Sequence, residues 1–113
     1  MQIVFQSRDP GGAEMRAVAI ERVQFAMRRL NWLVPTARVQ LSDINGSHGG
    51  VDKRCLLEFK TASKGSVVVT AVARDWGDAL NSALSRAARK LVRNLQRARS
   101  HPNFRQTVSG VDS

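Results

Sequence analysis

Apolar residues recur with two different periods along this chain, and the switches between those periods mark out six elements. Gln2 to Ser7 is short, apolar and β-branched, which predicts a strand. Asp9-Pro10-Gly11-Gly12 follows as a turn cluster that also supplies a helix-start signal. From Ala13 to about Leu30 the residues Met15, Ala19, Ile20, Val23, Ala26, Met27 and Leu30 keep helical spacing, with Glu21, Arg22, Gln24, Arg28 and Arg29 on the other side. Asn31 to Thr36, with Pro35, ends this first helix, and Trp32 is expected to close its end.

Period two then takes over. Ala37, Val39 and Leu41 alternate with Arg38, Gln40 and Ser42, giving a half-buried strand that ends near Asp43. Asp43 to Gly50 is rich in turn formers and too polar to pack, so an exposed, flexible connection is expected there. A third strand spans about Lys53 to Lys60, a turn at Ala62 to Gly65 closes a hairpin, and a fourth strand covers Ser66 to Arg74. Alternation puts Val39, Leu41, Cys55, Leu57, Phe59, Val67, Val69 and Ala71 on one face, and Arg38, Gln40, Arg54, Glu58, Lys60, Thr70 and Arg74 on the other.

Asp75 sits where an N-cap belongs, Asp78 lies in the first turn near the positive end of the helix dipole, and a long helix is predicted from Trp76. At about 100° per residue, Leu80, Ala83, Leu84, Ala87, Ala88, Leu91, Leu95 and Ala98 share one side, while Arg86, Arg89, Lys90, Arg93 and Arg97 share the other. Trp76, beside Leu80, reads as a core residue. The first strand meets the second through a helix, so those two can pair in parallel, and the rest form an antiparallel meander. The fold class is therefore α+β in the order β-α-β-β-β-α: a four-stranded sheet with two helices packed on one face and a polar, wet opposite face. Residues 1–99 are expected to form one domain, and residues 100–113, which show no periodicity, a disordered basic and polar tail.

Charge changes the picture most in the last helix. No acidic residue occurs from Ala79 to Val111, where Arg86, Arg89, Lys90, Arg93, Arg97, Arg99 and Arg105 all lie. Cations in a row without carboxylates repel one another and become favourable against a polyanion. The whole chain, 113 residues with a net charge of +9, points the same way, and its excess of arginine suits bidentate phosphate contacts. No apolar run approaches a membrane span, the apolar side of the final helix belongs to the core, and no secretory leader is visible, so a cytoplasmic protein without a membrane partner is expected.

Candidate chemistry adds little beyond this. A single cysteine, Cys55, excludes an internal disulfide and a multi-cysteine metal site, and its strand position beside Leu57 and Phe59 makes it a buried, inert thiol. The stretch holding Asp43, Asn45, His48 and Asp52 lacks the spacing of a calcium loop and reads as a turn, leaving His48 and His101 as surface residues. No carboxylate pair or nucleophile–base pair has a recognisable spacing, so neither catalysis, a metal, a cofactor nor a small-molecule substrate is expected. Phe25 falls between Arg22 and Arg29, off the main apolar stripe. It could stack on an unpaired base, but ordinary packing with Val18 sideways against the final helix is the preferred expectation.

These residues together resemble the ribosome hibernation-promoting factor family, also called ribosome-associated inhibitor proteins. The likeness is carried by Ala19-Ile20-Glu21-Arg22-Val23 through Arg29-Leu30, by Gly50-Val51-Asp52-Lys53-Arg54-Cys55, and by Asp75-Trp76-Gly77-Asp78-Ala79-Leu80-Asn81 through Arg86, Arg89 and Arg93. It covers about residues 1–99 and rests on the agreement of these stretches in order. The resemblance implies a non-enzymatic factor of the short form that binds the small ribosomal subunit in the channel used by messenger and transfer RNA and represses translation under stress. It implies ribosomal RNA contacts at Arg86, Arg89, Lys90 and Arg93. Arg97 and, in the first helix, Arg22, Arg28 and Arg29 complete the candidate RNA-binding set. The chain ends without the further C-terminal domain through which long members pair ribosomes, so that activity is not expected, and the Asp43–Gly50 loop is longer than in many short members. A generic double-stranded RNA-binding module is the alternative reading, since it too would place a basic helix beside a sheet.

Overall fold

The computed structural model describes residues 1–44, 52–62 and 65–100, the last three of these for their backbone alone. The expectations for the Gly-rich connection beyond Ile44, for His48 and His101, and for residues 101–113 lie outside the described residues. Within them the strands form where alternation places them: β1 (Gln2–Ser7), β2 (Thr36–Asp43), β3 (Lys53–Lys60) and β4 (Ser66–Ala73). They make one sheet in the order β1-β2-β3-β4, with β1 parallel to β2 and the other neighbours antiparallel.

Register explains the core. Val39 pairs with Leu57 and Leu57 with Val69, while Leu41 pairs with Cys55 and Cys55 with Ala71, so each apolar column crosses three strands on one face. All eight residues assigned to that face are buried, Ala37 among their neighbours as well. The long helix α3 (Trp76–Ser100) lays Ala79, Leu80, Ala83, Leu84, Ala87 and Leu91 on this face over β3 and β4. Asp75 caps it: its Oδ1 accepts the Asp78 backbone N–H at 2.8 Å. At the hairpin, Gly65 takes a φ of 82° and its carbonyl accepts both the backbone N–H and the hydroxyl of Thr61, a turn that an L side chain would strain.

The crossover between β1 and β2 differs from the single helix expected over residues 13–30. It begins earlier, as α1 (Pro10–Ala13), and resumes as α2 (Arg16–Ala26). The break falls at Met15, whose N–H turns back to the Gly12 carbonyl three residues away and so interrupts the i→i−4 ladder. Gly11 and Gly12 are weak helix formers, but Gly12 has a packing reason: a Cβ there would collide with Ser7 Oγ and press on Leu41. Asp9 ties this corner down, its Oδ2 accepting the Asp43 N–H at 2.9 Å. Beyond Ala26 the chain tightens into turns, and a 3-10 turn at Asn31–Leu33 leads to the buried Val34. Strand β4 also stops one residue short of Arg74.

The opposite sheet face departs from the polar expectation. Val68 and Val72 stand 46% and 42% exposed there, beside half-buried Val4 and Leu56, among Arg38, Arg54, Glu58 and Lys60. At the far end of the sheet, Asp52 is buried with its Oδ1 on Lys53 Nζ, and the same ammonium reaches Asp43 Oδ2 at 2.9 Å and hangs 5.5 Å from the Trp76 ring centroid. Trp76 packs half-buried against the core.

Candidate nucleic-acid interface

Strand β4 is an edge of the sheet, and α3 lies along it. Because the buried stripe of α3 faces the sheet, the residues on its outer flank overhang the β4 edge. Arg86, Arg89, Lys90, Arg93 and Arg97 are all exposed on this side. The first four of them line, with Val68, Val69 and Thr70, an open cleft of about 400 Å³ between helix and strand. Arg86 Nη1 donates to the Thr70 carbonyl at 3.0 Å, and Arg89 Nη1 to Ser85 Oγ at 3.0 Å. Both guanidiniums are thus held with N–H groups to spare, in a cleft that contains no carboxylate side chain. Such a surface takes an acceptor-rich anion of extended shape, and several phosphates at helical spacing answer that description.

The cations of α2 occupy a different place. Arg22 is half-buried, and its Nη1 donates across to Asn81 Oδ1 at 3.0 Å and to the Gly77 carbonyl at 3.4 Å, fastening α2 to the first turns of α3. Arg28 donates to the Phe25 carbonyl at 2.7 Å and stacks its guanidinium 4.2 Å from the Phe25 ring centroid. Arg29 is exposed, and its carbonyl accepts the Trp32 indole N–H at 3.2 Å. Trp32 thus bonds within the turns that follow α2 rather than at the helix end, and it stands 67% exposed. Asn81 precedes Arg86 by five residues, about 140° around the helix, so the α2-facing flank of α3 and the β4-facing rail are separate surfaces. The eight candidate residues fall into two groups rather than one patch.

Phe25 overturns one expectation. Instead of packing sideways against α3 it stands 67% exposed at the mouth of a groove between α2 and α3, because Ala26, Ala19 and Val23 already fill the space toward the core. Cys55, by contrast, is fully buried as expected, and burial pushes its thiol up to about 12. Among the described residues no group of three or more His, Cys, Asp or Glu side chains is placed to hold a metal ion, and no helix is long and apolar enough to cross a membrane.

No family model matches the sequence, and no curated protein matches it either. Solved structures do share its fold. The N-terminal domain of Thermus thermophilus Protein Y superimposes with a TM-score of 0.65 at 20% identity, over 82% of this chain and 98% of that domain. A ribosomal subunit interface protein from Coxiella burnetii superimposes with a TM-score of 0.62 at 13% identity, over 85% of this chain and 99% of the other. The chain has the fold of these proteins, the α+β arrangement that the pattern of apolar residues predicts.

Proposed function

We propose that this chain is a member of the ribosome hibernation-promoting factor family, a non-enzymatic protein whose domain of residues 1–99 binds the small ribosomal subunit in its mRNA and tRNA channel and represses translation under stress. The observation that carries this reading is the cleft under α3, where Arg86, Arg89, Lys90 and Arg93 converge without a carboxylate along the edge of β4. The fold it shares with a ribosomal subunit interface protein supports the choice of ribosomal RNA over other polyanions. Blockade is by occupancy: guanidinium groups held in a fixed row take RNA phosphates, counterion release drives binding, and shape selects more than sequence does. Arg97 extends the row, while Arg28 and Arg29 offer a second point of attachment from α2.

Sedimentation of a cell lysate through a sucrose gradient tests the partner. The protein is expected in fractions holding small subunits and to leave them on a rise in salt; a protein that stays at the top of the gradient overturns the reading. Added to a cell-free translation reaction, the purified chain is expected to inhibit it, and excess duplex RNA to relieve that inhibition only weakly. A generic duplex-binding module would be titrated away by modest competitor, so complete rescue favours that alternative.

A further inference from the structure

The groove on the other side of α3 differs in chemistry from the rail. Its walls are Glu21, Arg22, Phe25 and Ala26 of α2 and Asn81 and Leu84 of α3, about 450 Å³ of largely apolar space with a carboxylate at its rim. A phosphate is repelled by Glu21 and gains nothing from Ala26 or Leu84. A flat, polar-edged aromatic is suited to it. Phe25 offers an exposed ring that the Arg28 guanidinium supports from 4.2 Å. Arg22 can only donate, so Asn81 turns Oδ1 toward it and leaves the Nδ2 hydrogens for another acceptor. Glu21 accepts only. Donor and acceptor therefore flank a stacking surface, as the edge of a nucleobase requires.

We propose that the groove between α2 and α3 is a pocket for one unpaired nucleobase, stacked on Phe25 with its edge toward Asn81 and Glu21. The occupant is argued from charge: Arg22 lines the groove and Arg28 stacks on the ring of Phe25 at its mouth, so cations stand ready for the backbone of the same strand while the apolar walls receive the base. The inference rests on the proposed RNA-binding function and adds to it a preference for strands with unpaired bases. The rail takes phosphates of any folded RNA; this groove takes a base that only a loop, bulge or single strand can extrude.

The test uses the full chain and two RNA probes: a ten-nucleotide single strand bearing one 2-aminopurine, and a duplex of equal length. With the wild-type chain, 2-aminopurine fluorescence is expected to fall on binding as the base stacks. Phe25→Ala should abolish that quenching and weaken single-strand affinity about 5- to 150-fold, the range that loss of one base–aromatic stack gives. Duplex affinity should stay within about twofold, because phosphate contacts by cations that this substitution leaves in place carry it. Phe25→Trp should retain quenching. A Phe25→Ala chain with wild-type melting temperature but unchanged single-strand affinity and quenching overturns the pocket, as does an equal loss for both probes, or a Phe25-dependent dimer in the absence of RNA. The charge-reversed Arg86→Glu, Arg89→Glu, Arg93→Glu chain separates the two readings. If it still binds duplex like wild type, the phosphate rail fails and the base pocket loses its premise. If it loses duplex while Phe25→Ala changes nothing, the pocket alone fails.

Discussion

The Arg86 side chain reaches from the outer flank of α3 to the edge of the sheet, where its Nη1 lies 3.0 Å from the carbonyl oxygen of Thr70. One arginine of the rail is thus also a strut between helix and strand. Its neighbours Lys90 and Arg93 share the cleft beneath it.

The rail should respond to charge reversal as a unit. Arg86→Glu, Arg89→Glu and Arg93→Glu together are expected to abolish RNA or ribosome binding with the circular dichroism spectrum unchanged, since all three side chains are exposed. In single variants, each lost phosphate contact should flatten the slope of log affinity against log salt by about 0.7 to 0.9. Arg86→Met should in addition lower the melting temperature slightly, which Arg93→Met should not.

Core truncations should be costly. Leu57 is fully buried in the middle of β3 and Leu91 is 3% exposed on the sheet side of α3. Either residue changed to Ala is expected to cost about 2 to 5 kcal/mol in denaturant melts, through lost transfer free energy and the cavity left behind.

The thiol of Cys55 is both inaccessible and held in its protonated form, with burial pushing it up to about 12. A disulfide reagent at pH 8 should therefore react with the native chain only as fast as the chain opens, and at once when urea unfolds it. Prompt reaction under native conditions would show that β3 is not buried under α3.

Alkaline pH should loosen the end of the sheet at which Lys53 sits. Hydrogen bonds to Asp43 and then Asp52 hold its amine above the usual 10.5. A group raised in the folded state contributes stability in full below its unfolded pKa and loses it as pH rises through the folded value. The melting temperature of the wild type should thus exceed that of Lys53→Met most at neutral pH, and the difference should shrink above pH 10.5.

Much of this molecule is legible in the order of its residues because a strand with one buried face must alternate. Val39, Leu57 and Val69 could be assigned to a common face before any register was known, and Asp75 announced its helix by standing three residues before an N–H it could accept. The break at Met15 is not legible in the apolar spacing, which runs through it, and the close fit of Gly12 against Ser7 and Leu41 depends on elements that only the fold brings together. The exposure of Phe25 is hidden from the sequence for a geometric reason. A helical wheel gives the direction of a side chain and not the distance to the next helix, and Arg22, bonded to Asn81 across 59 positions of sequence, spans that distance. The position of the α2 cations relative to the α3 cations is likewise beyond a wheel, which describes one helix at a time.

The open edge of β4 carries a further consequence for the free protein. An edge strand presents backbone groups that a second chain can pair with, and Val68 and Val72 would make such pairing adhesive. Here Arg86 occupies the Thr70 carbonyl, and Arg89, Lys90 and Arg93 surround the approach with positive charge. Another copy arriving edge-on would bring the same cations against these. The guanidinium row along this edge thus opposes the pairing of β4 with the β4 of another copy, and screening by salt should weaken that opposition.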